Sequence, residues 1–411
     1  MAFKNLKLNK HILKALSDKH YTSPTEVQDK VIPIALNKHD LIVTAQTGTG
    51  KTAAFALPII QMLFDKQDAS KKGKKTRALV LSPTRELAQQ INDNFISYSQ
   101  YSNLKTAIVY GGTPIEPQQK KLKDGVDILI ATPGRLLDLI KRNDVKLNHI
   151  EHLIIDEADL MLDMGFIDDI LKIERLCPDS KQTSLFSATM PNKVVSLGES
   201  ILKSPKNIVI STVTNISNLI SQKLYYVPIS KKMQLCLHLI KSEVKSKVII
   251  FRRTKFGVEK LEEYLQKQDI QVTSLHGSKT QSLRREALNT FKNSGVNILI
   301  ATDVAARGID INQLDIVINF DLPTSPETYV HRIGRTGRAG HSGKAYTFCS
   351  AEEKQLVSPI QNLIKQIIPV EEEHPFPLSP DAKPTIHKKK GSKYKKGRKS
   401  EASKKKKKRW Y

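Results

Sequence analysis

Eight residues of this chain return almost unchanged further along it. Gly125-Val126-Asp127-Ile128-Leu129-Ile130-Ala131-Thr132 recurs as Gly295-Val296-Asn297-Ile298-Leu299-Ile300-Ala301-Thr302, a shift of 170 residues. The same shift carries Ala78-Leu79-Val80-Leu81 and the following Thr84 onto Val248-Ile249-Ile250-Phe251 and Thr254. Strand-end sequences are compositionally narrow, so one such match could be convergence. Two matches at one offset point to a duplicated domain. Each match is a short, continuously apolar run, the pattern of a strand buried on both faces.

The runs recur throughout the chain. Leu41–Val43, Ala78–Leu81, Ala107–Tyr110, Ile128–Ala131, Leu153–Ile155, Ser184–Phe186 and Ile208–Ile210 alternate with helical patterns. A second series comes after them at Val248–Phe251, Val272–Leu275, Ile298–Ala301, Ile316–Ile318 and Ala345–Phe348. This alternation predicts an α/β fold with mainly parallel sheets covered by helices. A length of 411 residues accommodates two such units. Residues 212–222 are polar and read as a linker, which bounds the units at 31–211 and 223–370.

The first copy carries a loop that the second lacks. Ala45-Gln46-Thr47-Gly48-Thr49-Gly50-Lys51-Thr52 lies between the apolar Leu41-Ile42-Val43 and a helical Ala53-Ala54-Phe55-Ala56-Leu57. Strand, glycine-bearing turn and helix together form the context of a phosphate-binding loop. Gly48 and Gly50 let successive N–H groups turn toward phosphate oxygens, and the helix N-terminus adds its positive end. Lys51 can reach the β- and γ-phosphates, and the Thr52 hydroxyl can ligate Mg²⁺. The common pattern opens with glycine, whereas this loop opens with Ala45. The chain is expected to bind a nucleoside triphosphate.

Leu153-Ile154-Ile155 runs into Asp156-Glu157-Ala158-Asp159. A carboxylate at the carboxyl end of a buried strand suits Mg²⁺, with Asp156 in that role, and Glu157 is placed to handle the attacking water. A solvated acidic turn is the plain alternative, and the upstream loop argues against it.

Here the motifs resemble the DEAD-box ATP-dependent RNA helicases, over residues 1 to about 370. The resemblance implies two tandem RecA-like domains, with ATP and Mg²⁺ as cofactors. Tyr21-Thr22-Ser23-Pro24-Thr25-Glu26-Val27-Gln28 matches the adenine-reading Q motif, setting off residues 1–30. It implies that Gln28 bonds the adenine and that Phe3 packs nearby, although His20 stands where glycine is common. Asp310 would meet the ribose. The RNA-contacting positions would be Thr84, Arg85, Gly111, Gly112, Thr132 and Arg135 in the first domain. In the second they would be Phe251, Gln281, Arg284, Thr302 and Asp303. Threonine hydroxyls, glycine amides and guanidinium groups at strand ends suit phosphates better than bases. Asp159, Ser187, Thr189 and His331 would couple ATP state to RNA handling, although a Ser/Thr pair at a strand end also caps helices. Arg335 and Arg338 would be the arginine fingers that complete catalysis with Lys51, Asp156 and Glu157. Within the family, Met161-Leu162-Asp163-Met164-Gly165-Phe166 and Arg253-Thr254-Lys255 are most similar to the bacterial RhlE type.

The resemblance implies local opening of short RNA duplexes or remodelling of RNA–protein complexes. An ATP-gated RNA clamp and a DNA helicase on the same scaffold stay open as alternatives. Net charge of +25 fits a polyanionic partner, and residues 387–411 alone hold 14 Lys/Arg against Glu401. Residues 371–411 are expected to form a disordered basic tail, an electrostatic tether or, through Trp410-Tyr411, a docking peptide. Cys177, Cys236 and Cys349 lack metal-ligand spacing and suit buried thiols in a reducing cytoplasm. The expected state is a monomer away from membranes, with ribosomal or RNA-decay assemblies as settings.

Overall fold

The computed structural model describes residues 2–46, 48–65, 75–210, 220–244, 246–306, 314–337, 342–382 and 384. The first unit is a seven-stranded parallel sheet. Its strands are β1 (Leu41–Thr44), β2 (Ala78–Leu81), β3 (Thr106–Val109), β4 (Ile128–Ala131), β5 (His152–Ile155), β6 (Gln182–Ser187) and β7 (Lys206–Val209). The second is a six-stranded parallel sheet of β8 (Ile220–Tyr226), β9 (Val248–Arg252), β10 (Thr273–Leu275), β11 (Ile298–Thr302), β12 (Ile316–Asn319) and β13 (Gly343–Cys349).

The duplication extends to the topology. The first sheet runs β3-β4-β2-β5-β6-β1-β7 and the second β10-β11-β9-β12-β13-β8. The echoed runs are β4 with β11 and β2 with β9, and they occupy matching places. Both faces of each sheet are covered, because alternate residues of one strand enter different cores. Ile128 and Ile130 of β4 join one cluster and Leu129 and Ala131 the other. Val248 and Ile250 of β9 likewise separate from Ile249 and Phe251.

Two boundaries differ from the sequence reading. Residues 220–222 belong to β8 rather than to a linker, and 211–219 lie outside the described residues. Ser221, Gln222 and Lys223 disguise the strand, but β8 is the counterpart of β1 and is needed to complete the second sheet.

The segment after residue 368 is built onto the second domain, at least to residue 378. Leu224 N–H donates to the Pro369 carbonyl at 2.8 Å, Glu371 N–H to the Leu224 carbonyl at 2.9 Å and Leu378 N–H to the Tyr226 carbonyl at 2.9 Å. Phe376 packs on the core, and the Lys223 ammonium bonds Glu371 at 2.6 Å. β8 is an edge strand, and this segment satisfies backbone groups that would otherwise be open to pairing. Proline and glutamate do not prevent such cover, since only alternate backbone groups are used. The basic run 387–411 lies outside the described residues.

Candidate active site

In an open parallel sheet, ligands meet the carboxyl ends of the strands. β1 ends in the phosphate loop, β5 in Asp156 and β6 in Ser187, and β5, β6 and β1 are neighbours. Ala45 is 1% exposed, and its N–H donates to the Ser187 carbonyl at 2.9 Å. The residue that departs from the usual glycine is therefore a small buried anchor between two strand ends. Gly50 has φ +95°, and a Cβ there would lie 2.4 Å from Gln28 Nε2. Gln28 is buried, its Nε2 donating to the Gly50 carbonyl at 3.2 Å and its Oε1 accepting from Thr25 N–H at 3.0 Å. The Q-motif glutamine is thus fastened to the loop. Phe3 is buried against Tyr21, and Tyr21 supplies the exposed aromatic surface here.

Lys51 opens the helix Lys51–Asp65, with Thr52 beside it. Its Nζ lies 2.9 Å from Glu157 Oε1, both side chains being buried. Burial alone would lower the Lys51 pKa, but Glu157, Asp156 and Asp159 outweigh it and hold the ammonium above its usual range. Burial pushes Asp156 up to about 7 against the pull of Lys51. Glu157 sits at φ +54°, ψ +54° just before the helix Ala158–Asp163. That left-handed conformation costs a side-chain-bearing residue about 1–3 kcal/mol and turns its carboxylate onto the lysine.

Asp159 joins the acidic loop to β6 and to the second domain. It accepts from Thr189 N–H and Oγ1, both at 2.8 Å, while its own N–H donates to Ser187 Oγ at 3.2 Å. His331 Nε2 reaches Asp159 Oδ2 at 3.4 Å from the helix Pro326–Ile333. Burial would raise the Asp159 pKa, but His331, Lys51 and Thr189 outweigh it and hold the carboxyl well below the usual carboxylate range. The four expected coupling residues therefore meet at one point. Arg335 is buried just beyond that helix. Thr47, Asp310 and Arg338 lie outside the described residues.

The remaining motif residues divide by direction. Thr84 caps the helix Arg85–Tyr98 by accepting from Leu87 N–H. Gly112 has φ +77°, and a Cβ there would lie 2.4 Å from Arg85 Nη2, so glycine leaves room for the guanidinium. Gly111 is partly exposed beside it. Arg135 donates to the Thr113 carbonyl at 3.0 Å from the helix that Thr132 precedes. Among the described residues, buried Arg135 Nη1, Gln281 Oε1 and Arg284 Nε have no hydrogen-bond partner.

Three second-domain positions behave differently from the reading of them as RNA contacts. Phe251 is 2% exposed, an inward residue of β9 beneath the Arg332 guanidinium, so its side chain does not face ligand. Asp303 is engaged by Arg332, with Oδ1 to Nε at 2.6 Å and Oδ2 to Nη2 at 2.8 Å. Thr302 ends β11 and is only 9% exposed.

Two residues here were not singled out by sequence. Arg332 is buried and also donates to Asn319 Oδ1 and the Asp321 carbonyl, tying the ends of β11 and β12 to the His331 helix. Glu86 forms a 2.9 Å ion pair with Arg284 across the two domains, beside a cleft of about 370 Å³ lined by Arg85, Tyr110, Gln281 and Arg285. Only its place next to Arg85 hinted at that role.

One domain supplies a phosphate loop and acidic strand end, and its topological copy brings the His331 helix against them. That defines the class of paired RecA-like domains sharing a nucleotide cleft. A DEAD/DEAH box helicase model matches residues 25–197, and a helicase conserved C-terminal domain model matches residues 231–340. The ATP-dependent RNA helicase CshA of Limosilactobacillus reuteri is 41% identical over 89% of this chain and 72% of its own length. The RNA helicase CrhR of Synechocystis is 41% identical over 90% and 74%. The chain belongs to the DEAD-box family of ATP-dependent RNA helicases, enzymes that hydrolyse ATP.

Solved relatives bear on the domain arrangement. S. cerevisiae Dbp5 bound to RNA and ADP BeF3 is 28% identical and superimposes with a TM-score of 0.79, over 90% of this chain and 95% of that one. Mss116p bound to ssRNA and AMP-PNP is 30% identical and gives 0.80, over 90% and 78%. A DEAD box protein of Methanococcus jannaschii is more similar in sequence, at 38%, yet gives only 0.53 over 90% and 99%. The chain thus superimposes more fully on these two RNA-bound relatives than on the Methanococcus jannaschii protein, and its own two domains touch through the Glu86–Arg284 and His331–Asp159 contacts.

Proposed function

We propose that the chain binds ATP with Mg²⁺ on its first domain and single-stranded RNA across both, and uses hydrolysis to open short RNA duplexes locally. In this reading Lys51 grips the phosphates and Glu157 orients and deprotonates the attacking water. Arg335, together with Arg338, supplies positive charge to the γ-phosphate from the second domain. The observation that carries the reading is the meeting of Asp159, Thr189 and His331 beside the Lys51–Glu157 pair. A change at the phosphate is thereby felt across the domain boundary.

Thr52 and Asp156 offer the hard oxygen donors that Mg²⁺ prefers, and a buried carboxylate raised toward neutrality suits a counter-cation. When bound, the ion would neutralise charge on the β- and γ-phosphates. Unpartnered polar atoms on Arg135, Gln281 and Arg284 support an RNA strand over the cleft. Guanidinium and amide groups there would meet the RNA backbone rather than the bases, and the Dbp5 and Mss116p structures are themselves bound to RNA.

The finer assignments belong to the same proposal. The RhlE type is supported by the residue 161–166 wording, although the relatives compared carry other names. Cytoplasmic residence is supported by three free, buried cysteines. A monomer working on ribosomal or RNA-decay assemblies completes the proposal. The test is strand release from a short RNA duplex and ATP turnover, measured with RNA and with DNA of the same sequence. The reading expects RNA-stimulated turnover and release of the strand. Turnover without release would leave an ATP-gated clamp, and equal stimulation by DNA would contradict the RNA assignment.

A further inference from the structure

We propose that Phe256 forms a base-stacking subsite for single-stranded RNA at the carboxyl end of β9. The inference rests on the RNA reading above and extends it from phosphates to bases.

The duplication provides the frame. β2 and β9 hold matching places, and the shift of 170 residues carries Thr84, Arg85 and Glu86 onto Thr254, Lys255 and Phe256. The local geometry repeats as well. Thr84 Oγ1 accepts from Leu87 N–H at 3.3 Å, and Thr254 Oγ1 accepts from Gly257 N–H at 3.0 Å. Each threonine therefore opens a helix at the same strand end.

At the third position the two copies diverge. Glu86 is partly buried in its ion pair with Arg284, whereas Phe256 is 68% exposed. A lone surface phenylalanine needs no explanation. This one comes after the exposed Thr254 and Lys255, on the end of the sheet that carries the ligand-facing motifs, while the exposed Arg253 before them is held by Glu353 and the Leu322 carbonyl. β10, β11 and β9 are adjacent, and the segments that leave the carboxyl ends of β10 and β11 also carry exposed apolar side chains, Leu283 at 49% and Val304 at 56%.

The Lys255 ammonium and the Thr254 hydroxyl suit phosphate, but an aromatic ring and aliphatic side chains do not. A single strand offers both surfaces at once: charged phosphates and flat, unstacked bases. Every base has a π-face, so stacking on Phe256 would add affinity with little sequence preference. It would favour unpaired over duplex RNA, because a base inside a duplex has no face to give.

The test measures RNA affinity by fluorescence anisotropy with a non-hydrolysable ATP analogue across a salt series. Wild type, Phe256→Ala and Phe256→Tyr are compared on a short single-stranded RNA and on versions with one abasic ribose moved along the strand. Phe256→Ala should weaken binding about tenfold, as loss of one stacked base implies. Its plot of log affinity against log salt should stay parallel to wild type, because no charge is removed. Phe256→Tyr should bind as wild type does. One abasic position should weaken wild type and leave Phe256→Ala unaffected.

Affinity of Phe256→Ala within twofold of an RNA-binding wild type would overturn the subsite. So would abasic losses equal in both proteins, or a Phe256→Ala chain that differs from wild type only in self-association by sedimentation. Failure of wild type to bind RNA would instead overturn the function on which the inference rests.

Discussion

The two domains share a strand order and differ in the segments that leave their matching strands. β1 runs into the phosphate loop, with Lys51 at the head of a helix. β8, its counterpart, runs into Val227-Pro228 and a short turn at Ile229–Lys231. β5 leads into Asp156 and Glu157, while β12 leads into Phe320 and Asp321, and the Asp321 carboxylate is committed to Arg252 and the Arg253 N–H. The same scaffold thus makes a nucleotide site in one copy and a braced carrier of basic residues in the other. A few residues at strand ends separate the two, where side chains escape the packing that fixes the rest of the sheet.

Changes in the first domain should erase this asymmetry most severely. Lys51→Ala should abolish ATP turnover, and Glu157→Gln should lower kcat by about 10²–10⁴-fold while leaving ATP bound. Steady-state ATPase and nucleotide titration separate the two roles. Turnover of Glu157→Gln within tenfold of wild type would rule it out as the general base.

A smaller effect is expected where the domains meet. Glu86→Gln and Arg284→Gln, alone and together, form a double-mutant cycle on RNA affinity with a non-hydrolysable ATP analogue present. Coupling on the order of 1–2 kcal/mol is expected for a partly buried pair sharing one network. Strictly additive losses would mean that the contact does not help hold the domains together.

The covering of β8 should matter to the second domain alone. Phe376→Ala should lower its thermal midpoint by a few degrees, as expected for loss of one partly buried ring. The midpoint of the first domain should not move. A shift in both, followed by calorimetry, would show the domains unfolding as one unit.

The least disturbance is expected from thiol reagents at pH 8. Burial pushes Cys177, in the first domain, and Cys236 and Cys349, in the second, up to about 12. All three should stay unlabelled until their own domain unfolds. Below the ordinary thiol value near 9 both folded and unfolded chains keep the proton, and stability carries no thiol contribution to its pH dependence. Between about 9 and 12 the unfolded chain ionises first, so stability should fall as pH rises. Denaturant titration with mass mapping of the labelled cysteine would read each domain separately.

Much of this was legible in the residues because the chemistry is local. A phosphate loop needs its glycines, lysine and threonine consecutively, and Asp156 and Glu157 are adjacent. The duplication also fixed the matching of β2 with β9 and β4 with β11. Side-chain direction is not legible in the sequence: the pleat turns Phe251 inward, and Arg332 holds the Asp303 carboxylate. Polarity also hid structure: Ser221, Gln222 and Lys223 lie near the start of β8, and the cover of its edge is rich in proline and glutamate. The Glu86–Arg284 pair depends on two residues far apart in the chain, which no local pattern announces.

If the two copies work as one enzyme, hydrolysis on the first domain is completed by an arginine of the second. Single-turnover ATP hydrolysis, with and without single-stranded RNA, tests this in wild type and Arg335→Ala, with ATP affinity measured for each. RNA should accelerate wild type, while Arg335→Ala should lose on the order of 10³-fold in rate with RNA present and keep its ATP affinity. An Arg335→Ala chain that RNA accelerates as strongly as wild type would contradict the shared site.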